Sequence, residues 1–166
     1  LGYEPTFRQI DWGLKDSLLA NGEVDCLWGS FTMTGREDLY TWSGPYMTST
    51  QSVVVRADSS INTLSDLDGA CVAVQATTKP EEILLGTFDP RLPEVEKVYA
   101  ISQMDDVYAC LRKGYVDAIA GHTYALRTFM ETAPGAYRML DELLFVSQLG
   151  VAFERGTHTD LADSLT

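Results

Sequence analysis

The stretch SFTMTGREDLYTWSGPYM, residues 30–47, places Ser30, Thr32, Thr34 and Arg36 within seven consecutive positions. Hydroxyls beside a guanidinium suit two kinds of chemistry. One is nucleophilic or acid-base catalysis, which needs a base within reach of the hydroxyl. The other is anion capture, because a planar guanidinium holds a carboxylate through two parallel hydrogen bonds. The chain has two histidines, His122 and His158, and neither sits in a recognisable triad. Nucleophile elbow, P-loop, HExxH and dinucleotide fingerprint are all missing from the sequence, so no catalytic residue and no cofactor is expected. Binding without turnover is the better reading. The residues alone leave plainer roles open: Arg36 as a solvated loop arginine paired with Glu37 or Asp38, and Ser30 and Thr32 as turn residues satisfying local backbone groups. If the segment is extended, alternation aims Ser30 and Thr32 to one side and Phe31 and Met33 toward the core.

The wider composition narrows the partners. The chain has 166 residues, 45% of them apolar, which suits one domain or two small lobes. A formal charge of −12, with 12 Lys and Arg scattered along the chain, argues against nucleic acid, whose phosphates require clustered cations. No apolar run is long enough to span a bilayer. Cys26, Cys71 and Cys110 show neither CxxC nor Cys/His spacing. They read as buried free thiols, and no metal site is expected.

The elements that position these residues show an internal echo. LLANGEVDCLWGS (18–30) and CLRKGYVDAIAGH (110–122) align without a gap, pairing Leu19 with Leu111, Gly22 with Gly114, Asp25 with Asp117 and Gly29 with Gly121. Each copy reads as a helix ended by glycine, a short apolar strand, and a turn at the strand's carboxyl end. Asp25 and Asp117 fall at the helix-to-strand turn, which points to a structural role and not to an acid-base pair. Asp11 is expected to cap a helix through about Asn21. Ser102, with Asp105 three residues on, is expected to cap another that buries Val107, Ala109, Cys110 and Leu111. SVVVRA, ACVAVQ, EVEKVYAI and VDAIAG read as strands. NTLSDLDG, TTKPEEILL and TYALRTFMETA read as helices, the second with Pro80 near its first position. Alternation of strands and helices implies an α/β sheet in each lobe.

The order L..G.VDCLWGSFTMTGRED…WSGPYM, then V.VR.DS.I..L.DL.G..VAVQATT, then LRKGYVDAIAG resembles the bacterial extracellular solute-binding proteins of the polar amino-acid type, through nearly the whole chain. The resemblance implies a bilobal type II periplasmic-binding fold, two α/β lobes joined by two crossovers near 46–52 and 146–150. Residues 1–50 with 148–166 would form lobe 1, incomplete, and 53–145 lobe 2. It also implies that LGYEPTF is a strand preceded by a further strand and helix, and that a longer C-terminal helix follows, so the chain is expected to be truncated at both ends.

The same resemblance implies a small carboxylate ligand in an interlobe cleft. Arg36 would grip its carboxylate, Ser30 and Thr32 would contact it, and Trp12 would pack against it. Gln75, Thr77 and Thr78 would offer backbone N–H groups and a hydroxyl from the other lobe. There are two departures. TMTGR is one residue shorter than the usual T-x-T-x-x-R, a gap that Gly35 can absorb with a backbone angle closed to other residues. His122 stands where amino-acid binders place the aspartate that receives the ligand's ammonium. A neutral imidazole accepts one hydrogen bond, whereas a protonated one repels ammonium. The implied setting is extracytoplasmic, with an ABC-type membrane permease or a fused membrane signalling module as partner. Alternatives on the same fold are a cytoplasmic effector-binding domain of a transcription regulator and a dehydratase-like enzyme.

Overall fold

The computed structural model describes residues 2–86 and 89–166. The chain divides into two compact units, Leu1–Ser49 with Ser147–Thr166, and Thr50–Val146.

The 50–146 unit is a sheet in the order β3-β2-β4-β1-β5, built from β1 (Thr41–Arg56, whose first half belongs to the other unit), β2 (Cys71–Gln75), β3 (Lys97–Ile101), β4 (Ala118–His122) and β5 (Tyr137–Met139). β2 pairs in parallel with both β3 and β4, while β1 runs antiparallel to β4 and β5. The parallel strands are linked by α2 (Lys79–Leu85) and α3 (Met104–Arg112), and α4 (Thr123–Glu131) follows β4. Two apolar clusters cover the two faces of this sheet. Val53, Val55, Val72, Val74 and Leu64 lie in one, and Val54, Ala73, Ile119, Leu111 and Leu126 in the other. Successive side chains of β1 thus alternate between two dry layers, which is why Val53, Val54 and Val55 form an unbroken apolar run.

The other unit holds α1 (Lys15–Ala20), the first half of β1, most of β6 (Phe145–Phe153), which pairs with β1, and α5 (Thr159–Leu165). Its core gathers Leu19, Leu27, Phe31 and Ala152, with Trp12, Tyr40 and Trp42 packed around them.

The two echoed glycines do the same job. Gly22 (φ +68°) and Gly114 (φ +71°) sit just past α1 and α3 in the left-handed region. Gly22 N–H donates to Leu19 O and Glu23 N–H to Leu18 O; Gly114 N–H donates to Leu111 O and Tyr115 N–H to Cys110 O. This paired pattern is the Schellman termination, which a Cβ would strain. Asp117 has the structural role expected of it, accepting from Cys71 N–H at 2.9 Å.

Several local expectations fail. Residues 2–10 contain no strand and are largely exposed; Leu1 lies outside the described residues. Asp11 accepts from Gly13 N–H and caps a 3₁₀ turn, Trp12–Leu14, before α1 begins. Ser102 does not cap α3; Gln103 holds that position without a side-chain bond, and Ser102 O instead accepts from Gln75 Nε2. In α3, Val107 and Leu111 are buried while Ala109 and Cys110 are only half-buried. The three cysteines are free but half-buried, not buried. In the first echo copy the apolar run shrinks to one isolated bridge, Leu27 to Ala152. No helix among the described residues is long and apolar enough to cross a membrane.

Asp66 carries the clearest pH-linked contribution. Its carboxylate accepts from Asn62 and Thr63 N–H, both at 2.9 Å, and closes a capping box on the 3₁₀ turn Leu64–Leu67. The backbone donors of Asn62 and Thr63 hold its pKa below the ordinary 3.8. A depressed carboxylate stabilises the fold above its unfolded value and loses that contribution as pH falls through the folded one. Urea unfolding of wild type and Asp66→Asn should therefore differ most at neutral pH, with the two stability curves converging below about pH 4. Parallel curves would rule the contribution out.

Candidate functional site

In the unit containing the opening stretch, residues 31–34 run beside β6. Gly150 N–H donates to Phe31 O, Met33 N–H to Gln148 O at 2.8 Å, and Thr34 Oγ1 accepts from Gln148 N–H at 2.9 Å. Thr32 forms an isolated bridge to Leu149. The chain then turns through Gly35, whose φ of +77° is the backbone angle expected of a shortened loop.

Arg36 is held at its main chain from both sides: its N–H donates to Met33 O, and its carbonyl accepts from Leu39 N–H and from the Trp42 indole at 3.0 Å. Its guanidinium lies 5.5 Å from the Phe31 ring centroid, within cation–π range. Phe31 is 2% exposed. It meets Trp12 edge-on at 5.0 Å, Tyr40 at 5.2 Å and Trp42 at 5.2 Å. Trp12 and Arg36 are therefore brought onto the same aromatic residue, with Trp12 half-buried as part of the unit's core.

Ser30 and Thr32 do not alternate as expected. Ser30 adopts φ +58° and is exposed, breaking the extended run, and Thr32 is 3% exposed, as buried as Phe31. The Ser30 backbone donates to the Tyr46 hydroxyl and opposes the upward push of burial on that phenol. Tyr46 in turn lies 6.3 Å from Trp28, and both rings are exposed. This aromatic pair beside Ser30 went unnoticed in the sequence, although WGS and GPYM both carry the signal. Tyr40, whose hydroxyl donates to Asp16, is pushed upward by burial and then by that carboxylate.

In the 50–146 unit the carboxyl ends of the parallel strands β2 and β4 bring Gln75 and His122 to one sheet edge. That edge is where open α/β sheets bind ligands. Gln75 donates through Nε2 to Ser102 O, and its carbonyl accepts from the Thr78 hydroxyl. Thr78 occupies the N-cap position of α2, but its hydroxyl makes no cap bond. Thr77 takes φ +60°, is exposed, and donates its N–H to Glu81. The Thr78 hydroxyl is thus turned back onto Gln75 and away from the helix end. His122, half-buried, closes β4 and precedes α4; Gln51, its antiparallel partner on β1, places Nε2 3.0 Å from His122 Nδ1. Gln51 was missed because a glutamine heading an apolar run looks like a strand end until its partner, 71 residues on, is known.

Residues 1–160 match the family described as bacterial extracellular solute-binding proteins, family 3. The chain belongs to this family. Among curated members, it is 27% identical over 142 residues to the glutamate-binding protein GluB of Corynebacterium glutamicum, covering 81% of this chain and 45% of that protein. It is 28% identical over 153 residues to a glutamine-binding protein of Geobacillus stearothermophilus, covering 90% of this chain and 56% of the relative. The chain thus spans about half the length of the curated relatives it matches. Its mixed α/β fold is that of solved family members. The substrate binding protein of an amino acid ABC transporter superposes with a TM-score of 0.82 at 26% identity, covering 95% of this chain and 70% of that one.

Proposed function

We propose that this protein binds a small carboxylate-bearing molecule, an amino acid or a related acid, outside the cytoplasm and without converting it. The observation that carries this reading is Arg36, fixed at its main chain and laid on a buried phenylalanine, so that its fork is oriented before a ligand arrives. Pre-ordering reduces the entropy lost on binding. Thr32, Ser30 and Trp12 would complete the contribution of the first unit. Gln75, Thr77, Thr78 and His122 are the candidate ligand contacts of the 50–146 unit. Handing the ligand to an ABC-type permease is favoured by the company the chain keeps among amino-acid binders. Service as the sensor of a membrane signalling protein is the second reading, favoured by the histidine that replaces the usual aspartate.

Thermal unfolding against a panel of amino acids and their counterparts lacking the amino group tests the reading. A true ligand at about 100 times its dissociation constant should add about 2.7 kcal/mol of stability. Silence across the whole panel would overturn the ligand class.

A further inference from the structure

Helix α4 carries two local misfits on its outer face. Glu131 closes the helix, where the dipole disfavours a carboxylate, and Arg127 stands one turn before it, the poorer order for an ion pair within a helix. Both side chains are exposed, and among the described residues neither has a hydrogen-bond or ion-pair partner. Tyr124, three positions before Arg127, lies on the same face and is 69% exposed. Past the end of the helix, Arg127 and Glu131 join Met130, Pro134, Gly135 and Tyr137 around a groove of about 380 Å³. Its floor is firmly backed: the Tyr137 ring lies 4.6 Å from that of Phe129, which is 3% exposed and stacks on Tyr108 at 4.5 Å. One face therefore presents an unpaired cation, an unpaired anion, an exposed ring and a groove.

We infer that this face docks a second copy of the chain, α4 against α4 about a two-fold axis, to form a weak homodimer. In a symmetric contact, residue i of one protomer meets j of its partner and j meets i. Antiparallel helices bring together positions whose numbers have a constant sum. A register that sets Arg127 against the partner's Glu131 thus repeats the ion pair across the axis and brings Tyr124 to the partner's Pro134, at the groove. A face of single sign would repel its own copy, whereas this one is self-complementary. The exposed tyrosine is covered as well, and tyrosine is among the residues enriched at such contacts. One helix face with the loop after it buries less than the roughly 800 Å² per partner of a stable complex, so the dissociation constant falls between micromolar and millimolar. None of these residues belongs to the proposed ligand contacts, and the inference stands apart from that reading.

Sedimentation velocity of the whole chain, from micromolar to millimolar concentration, tests the inference. Wild type should pass from monomer to dimer, less readily as added salt screens the pairs. Arg127→Glu and Glu131→Arg each set like charges against one another and should weaken dimerisation by about tenfold or more. Mixed in equal amounts, the two variants should associate with each other, because every contact again joins opposite charges. The double exchange in one chain should restore self-association for the same reason. Both positions are exposed and unpaired within the fold, so unchanged thermal unfolding of the variants separates lost association from lost folding. Wild type that stays monomeric at millimolar concentration overturns the inference. Dimerisation that survives either reversal unchanged also overturns it, as do reversed variants that fail to associate when mixed, since both results place the contact elsewhere.

Discussion

Phe31→Ala is expected to destabilise the protein by about 3–5 kcal/mol, the range for emptying a large aromatic site in a close-packed core. The ring is 2% exposed and meets three other aromatic rings within 5.2 Å. It shares its cluster with the buried Leu19, Leu27 and Ala152. Alanine there leaves a void lined by Trp12, Tyr40 and Trp42, and edge-to-face contacts add to the loss from area alone. Phe31→Leu keeps most of the volume and should cost less, about 1–2 kcal/mol. Urea unfolding of both variants measures the difference. An alanine variant within about 1 kcal/mol of wild type would mean that the aromatic cluster is not what holds this unit together.

The legible parts of the fold are those fixed by local stereochemistry. Gly22 and Gly114 declare a left-handed helix end because no other residue takes that angle without strain, and their Schellman bonds follow. Pro80 at the start of α2 and the apolar runs of β2 and β4 are similarly local. What failed depended on partners distant in sequence. Ser102 had the chemistry of a cap, but its carbonyl is engaged by Gln75 and the helix starts one position later than that cap requires. CLWGS has the composition of a strand, yet β6 touches it only at Leu27, because the chain turns at Ser30 before a ladder can form. The candidate site was legible in a different way. Motif order pointed to Arg36, Thr32 and His122, whereas residue chemistry alone left Arg36 and Thr32 with plainer roles. Nothing local pointed to Gln51, whose meaning appears only when β1 and β4 pair.

Arg36→Ala should weaken ligand binding by about 30-fold to 1,000-fold, equivalent to about 2–4 kcal/mol, while changing folding stability by less than about 1 kcal/mol. The separation follows from how the residue is held. The turn is held by main-chain N–H and C=O, which alanine retains, and the side chain is half-buried, so truncation removes the guanidinium and leaves those main-chain bonds standing. The lost stacking on Phe31 is worth about 0.5–1 kcal/mol at a partly exposed site. Arg36→Lys separates charge from geometry. An ammonium keeps the positive charge but cannot donate two parallel bonds, so binding should fall by about tenfold and not by the full amount. Titration calorimetry with whichever acid stabilises wild type reads both variants. If alanine leaves the affinity within about twofold, about 0.5 kcal/mol, Arg36 is a loop arginine resting on an aromatic ring, and the carboxylate must be held by donors elsewhere.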